Sequence, residues 1–100
     1  MNIIMPMDGN DIDESKICPV HEAKAWLYFE MNEGKMINEK FYDTRAEVEE
    51  YAEIVIVSSP QEDVWPFMDE GLAVLVAPIQ RYVEDIVEAY LFKELHDLNV

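Results

Sequence analysis

Cys18 and His21 stand three residues apart in Cys18-Pro19-Val20-His21 and form the most suggestive chemical pair in the chain. Thiolate and imidazole suit zinc, iron and iron–sulfur clusters, and two such donors at this separation in a loop can reach one ion. His96 is the only other thiol or imidazole donor, so a carboxylate or a second subunit would have to complete the set. The competing reading has Cys18 packed as a small hydrophobe and His21 as an ordinary loop residue. Asp8, Asp11, Asp13 and Glu14 gather just upstream. Their spacing is not that of an EF-hand loop, because Ile12 takes a ligand position and the later glycine and glutamate are missing. They read as a weak divalent site or as a solvated acidic loop. Ser58 and Ser59 follow a β-branched run, at a strand-to-helix junction where free N–H groups can bind an anion. They lack the Gly-x-Ser-x-Gly elbow of a hydrolase nucleophile, neither histidine is identifiable as a base, and helix capping accounts for Ser59. No catalytic residue emerges, and the chain is expected to bind or carry something without transforming it.

The elements that must position these groups belong to one domain. A chain of 100 residues has the length of a single domain, read as residues 1–100, and half of its residues are apolar or aromatic. Twenty-two carboxylates against seven Lys and Arg leave a formal net charge of −15. Such a surface repels phosphate backbones and anionic lipid, which argues against nucleic acid and membrane partners and favours a protein partner with a basic surface or a metal ion. Solubility alone would also account for it. The lone Cys18 allows no internal disulfide, no apolar run is long enough to span a bilayer, and no signal-like N-terminus is seen; a cytoplasmic protein is expected.

Asn2 to Met7 reads as a buried central strand ending at the turn pair Asp8-Gly9. Residues 8 to 23 have no periodicity and form the longest loop, a common place for function. Lys24 to Met31 and Met36 to Asp43 flank Asn32-Glu33-Gly34-Lys35, which predicts a hairpin. Thr44 and Glu47 fit a capping box and predict a short helix to about Tyr51. Glu53 to Ser58 and Leu72 to Ala77 are buried strands. Between them lies a helix capped by Ser59, which Pro66 would bend, or by Asp63, which would place Pro66 in the first turn; Gly71 stops it. Val83, Ile86, Val87, Tyr90, Leu91, Leu95 and Leu98 predict one long amphipathic helix at the end. Trp26, Tyr28, Phe29, Trp65, Phe67 and the methionines are assigned to the core, with Trp65 or Met68 the ones that could border a ligand surface. The expected fold is α/β, with a mixed five-strand sheet of order 3-2-1-4-5 and helices on both faces. Ligands in such sheets collect beyond the carboxyl ends of the strands at the switch in winding, here beside Asp8, the 8–23 loop and Ser58-Ser59.

In this order and spacing, Asn2-Ile3-Ile4-Met5-Pro6-Met7-Asp8-Gly9, Ala23-Lys24-Ala25-Trp26-Leu27-Tyr28-Phe29-Glu30, Ile54-Val55-Ile56-Val57-Ser58-Ser59-Pro60, Glu70-Gly71-Leu72-Ala73-Val74 and Val83 to Leu91 resemble the dinitrogenase iron-molybdenum cofactor biosynthesis and binding proteins, or nitrogenase accessory factors. The resemblance spans nearly the whole chain. It implies a ribonuclease H-like, three-layer α/β/α fold and binding or carriage of an iron–sulfur or iron–molybdenum-type cofactor or its precursor. The cofactor-facing positions would be Asp8, Cys18, His21, Ser58 and Ser59, with Cys18 and His21 on the metal. The sequence departs from the family at two places. Its Ser-x-His-Phe-Gly pattern falls on Ile17, Cys18, Pro19, Val20 and His21, which puts Pro19 at the histidine, and its glycine-rich turn is replaced by Ser58-Ser59-Pro60. A second expectation stands beside carriage: a diverged protein-interaction or regulatory module without a cofactor, monomeric or dimeric through a hairpin edge.

Overall fold

In the computed structural model, which describes residues 1–98, β1 (Asn2–Met7) is the strand around which the sheet is built. Every residue of β1 after Asn2 is buried, as its unbroken apolar sequence requires. β1 pairs antiparallel with β2 (Ala25–Asn32), and β2 with β3 (Lys35–Tyr42). Glu33 and Gly34, with φ of 53° and 80°, make the tight connection between β2 and β3; the glycine supplies a left-handed conformation at no steric cost. On its other side β1 runs parallel to β4 (Ile54–Val57), and β4 parallel to β5 (Ala73–Val76).

Strand alternation divides the core between the two faces of the sheet. Ile3, Met5, Met7, Leu27 and Phe29 share one face with Val83 and Ile86 of α2 (Val83–Leu91). Ile4, Trp26, Tyr28, Val55 and Val57 share the other with Phe67 of α1 (Trp65–Asp69). Among the described residues no helix is long and apolar enough to cross a membrane.

Three expectations about the elements are corrected. The sheet has six strands, order β3-β2-β1-β4-β5-β6, because β6 (His96–Asp97) pairs antiparallel with β5. The final helix stops at Leu91: Lys93 adopts a φ of 58°, and the Glu94 N–H closes back on the Ala89 carbonyl at 2.8 Å. Leu95 and Leu98, read as helix positions, instead flank β6 and pack against the core clusters on opposite faces of the sheet. The helix from Thr44 shrinks to one 3₁₀ turn, Arg45–Glu47. There the Thr44 hydroxyl donates to the Glu47 carboxylate at 3.0 Å, and no side chain caps a backbone N–H. With six strands and few helices, the architecture is mixed α/β and not the five-strand, three-layer, ribonuclease H-like arrangement expected. The order of the first five strands is as expected, and Pro66 falls in the first turn of α1, where its missing N–H does no harm.

The exposed end of β3 is tied down by Glu50, which accepts from Lys40 Nζ at 2.7 Å and from the Tyr42 hydroxyl at 2.6 Å. The Lys40 hydrogen bond, followed by that of Tyr42, lowers the Glu50 carboxyl from its ordinary 4.5 to about 2. A carboxyl depressed by folding stabilises the native state above its unfolded pKa, and that contribution disappears as pH falls through the folded value. The difference in thermal midpoint between the wild-type chain and Glu50→Gln should therefore be full at pH 6 and close progressively from about 4.5 down to about 2. A difference that stays constant across that range would refute the linkage.

Candidate functional site

The 8–23 loop is built from the inside by its acidic residues. Asp11 Oδ1 accepts the N–H groups of Asp13 and Glu14 at 2.9 and 3.1 Å, and the Asp11 N–H donates to the hydroxyl of the buried Ser15 at 2.9 Å. At Gly9 a Cβ would come within 2.9 Å of Ser15 Oγ, so a larger residue would have to displace the hydroxyl that accepts from the Asp11 N–H. Asp8 Oδ1 accepts from the Lys16 N–H at 2.8 Å, while the Asp8 N–H donates to the Lys16 carbonyl at 2.9 Å. Asp8, Asp11 and Ser15 thus hold the loop in shape.

The loop's second half lies along β1. Ile17 bridges Met7 in antiparallel fashion, the Cys18 N–H donates to the Pro6 carbonyl at 3.1 Å, and the Ile17 N–H donates to the Arg81 carbonyl at 2.8 Å. Met7 pairs with Ala25 of β2 on its other side, so residues 16–18 occupy the β4 side of β1. That is where the two parallel strands part: their paired residues end at Ile4 and Val55. Pro6, which cannot donate to a ladder, sits beyond this point. The crevice at the switch in winding, the usual ligand position in open α/β sheets, is therefore filled by the chain's own backbone.

Cys18, at the end of this plug, is half-buried. Burial, followed by the charges of Asp8, Glu22 and Glu62, pushes its thiol up from an ordinary 9.0 to about 11. His21 is exposed, with Nε2 3.4 Å from Glu22. Among the described residues no three His, Cys, Asp or Glu side chains come together so as to hold a metal ion. A protonated thiol ringed by carboxylates and a solvent-facing imidazole do not fit an anionic iron–sulfur or iron–molybdenum-type cluster. Ser58 and Ser59 follow β4, but α1 begins only at Trp65 and is five residues long, so no helix N-terminus is offered to an anion there. The Ser59 hydroxyl is used locally, accepting from the Gln61 N–H at 3.1 Å and donating to Gln61 Oε1 at 2.7 Å.

The concavity at this end of the sheet lies to one side of the plug. A cleft of about 510 Å³ is bounded by Val20 and His21 from the loop, Trp26, Arg45, Gln61 to Asp63, and Pro66 and Phe67. The Trp26 and Phe67 rings pack at 5.9 Å between centroids, tilted by 51°. Glu62 Oε2 accepts the Val20 N–H at 2.6 Å and so fixes the loop to the rim. Arg45 Nη2 reaches Glu70 Oε1 at 2.6 Å, while its buried Nε has no partner among the described residues. Of the site residues expected from sequence, Asp8, Cys18, His21, Ser58 and Ser59, His21 alone lies on this cleft, whose floor is made by the core aromatics Trp26 and Phe67. Trp65 is 70 % exposed and does not line it. Arg45 and Glu62 fall within stretches read only as helix starts, and their place on the cleft was missed because their partners lie 25 and 42 residues away.

No protein-family model matches the chain, and no curated protein matches it. Solved structures do. A Thermotoga protein, provisionally described as a NifB protein of the DUF35 family, superposes with a TM-score of 0.76 at 15% identity, over 99% of this chain and 94% of its own. A crystal structure from Methanocaldococcus jannaschii, provisionally described as a dinitrogenase, gives 0.76 at 15% identity, over 98% and 94%. This chain shares their fold. These two structural neighbours are nitrogenase-related by name, at low sequence identity.

Proposed function

We propose that this chain is a non-catalytic docking module, built on the nitrogenase accessory-type fold, that holds a segment of a protein partner instead of a cluster. One observation carries the reading. Residues 16–18 fill the crevice between the ends of β1 and β4, and the space left open is the neighbouring cleft floored by Trp26 and Phe67. An apolar floor with a polar rim suits a side chain presented by another protein. The formal charge of −15 favours a basic partner surface and disfavours nucleic acid and anionic lipid. The module works as a monomer, or as a dimer through the outer edge of β3, in a reducing compartment such as the cytoplasm.

Carriage of an iron–sulfur or iron–molybdenum-type cofactor is the second reading, supported by the names of the solved neighbours and by Cys18 and His21 in one loop. Anaerobic incubation of the full chain with ferrous iron and sulfide separates the two. The docking reading expects a colourless protein without stoichiometric iron after desalting. A brown protein whose iron is lost in Cys18→Ala with His21→Ala would overturn it.

A further inference from the structure

We propose that the cleft between the end of α2 and the β5–β6 edge binds a free α-amino acid with an aliphatic or aromatic side chain, its carboxylate toward Lys93 and its ammonium toward Asp97. This site lies on the opposite face of the sheet from the Trp26–Phe67 cleft, and the inference stands apart from the docking reading.

The cleft exists because α2 is too short for the sheet beneath it. Burial alternates along β5: Val74 and Val76 are buried on the α1 face, whereas Ala73 and Leu75, on the α2 face, are only partly buried. α2 stops at Leu91, the left-handed Lys93 turns the chain, and Leu95 returns to the same apolar face as Leu75. What remains is a concavity of about 460 Å³ bounded by Leu75, Tyr90, Leu91, Lys93, Leu95 and Asp97. That is the size of a small-molecule site, and its walls are apolar except for two charges.

The two charges decide what enters. Asp97 stands opposite Leu75 in the antiparallel β5–β6 pair and two residues from Leu95, so alternation puts its side chain on the face of both leucines. Lys93 follows the end of α2 and stands in no ion pair among the described residues. Both residues are exposed, so a ligand arriving from solvent can meet their charged ends. An apolar anion would gain from Lys93 but meet Asp97 and a chain of net charge −15. An apolar cation would gain from Asp97 but meet Lys93. A zwitterion matches both, and being neutral overall it is indifferent to the charge of the chain. Leu75, Leu91, Leu95 and the Tyr90 ring then receive its side chain.

The test titrates L-leucine into the ¹⁵N-labelled full chain, beside glycine, isocaproate (leucine without the ammonium) and isoamylamine (leucine without the carboxylate). Leucine should shift the Leu75, Leu91, Leu95 and Asp97 amides in a saturable manner and leave those of Val20 and Phe67 in place. Glycine, isocaproate and isoamylamine should each bind about tenfold more weakly or worse, having lost the buried side chain or one charge-assisted contact. Lys93→Gln should weaken leucine about tenfold while isoamylamine binds no more weakly than before; Asp97→Asn should weaken leucine about tenfold while isocaproate binds no more weakly. A variant that had merely lost its fold would weaken every ligand alike. Isocaproate or isoamylamine binding as tightly as leucine overturns the inference. So does a substitution that leaves leucine binding unchanged or weakens all ligands equally, a set of shifts on the Trp26–Phe67 cleft in place of these, or no saturable shift up to the solubility limit of leucine.

Discussion

Alkylation of Cys18 by iodoacetamide at pH 7.5 should proceed about a hundredfold more slowly in the native chain than in the same chain unfolded in urea. The thiolate is the reacting species, and a shift from 9.0 to about 11 makes it scarcer by that factor. Burial comes first among the causes, ahead of Asp8, Glu22 and Glu62, so raising the salt concentration should recover only a minor part of the rate. The native rate should climb with pH and level off near 11. Native and unfolded rates within threefold of each other would sink the argument. It would also return Cys18 to the list of competent soft-metal ligands.

Phe29→Ala should lower the unfolding free energy by about 3–5 kcal/mol, read from the urea midpoint with the slope unchanged. Phe29 is 1% exposed, sits opposite Ile3 in the antiparallel β1–β2 pair, and packs on the face that α2 covers. Two flanking strands hold the backbone in place, so the cavity cannot close by collapse. Against a typical total of about 5–15 kcal/mol, that loss removes a large share of the stability. Trp65→Ala, at a 70 % exposed position, is the control and should stay within about 0.5 kcal/mol. A Phe29→Ala variant as stable as Trp65→Ala would mean that the core is not organised around β2.

The strands were legible because burial on both faces writes itself as unbroken apolar sequence: Ile3 to Met7 and Ile54 to Val57 admit little else. Gly34 and Gly71 marked their turns for a local reason, the positive φ each adopts. What failed was spacing used beyond its reach. Leu95 and Leu98 fit a helical stripe, yet the same interval places residues on opposite faces of an extended segment, and the left-handed Lys93 decides between the two. Thr44 and Glu47 hold the right types for a capping box, but with no sustained apolar stripe behind them the turn does not propagate. The candidate site shows the same limit. Cys18 and His21 were found by type, whereas the closure of the crevice depends on Ile17 meeting Arg81, and the cleft depends on Arg45 meeting Glu70. Contacts that distant leave no periodic trace.

The plug of residues 16–18 has a mechanical consequence. The β3-β2-β1 and β4-β5-β6 halves meet along a short ladder, Ile3 with Ile54 and Ile4 with Val55, extended at one end by the Glu53 N–H donating to the Asn2 carbonyl at 2.9 Å, and shorter than the β1–β2 or β2–β3 ladders. By bonding to Pro6 of β1 on one side and to Arg81, in the connection that follows β5, on the other, the loop ties the end of β1 to the chain leaving the far half of the sheet. A load that draws the end of β1 away from the chain leaving β5 is borne in part by these loop bonds, and Ser15, Ile17 and Asp8, which shape the loop, share in carrying it.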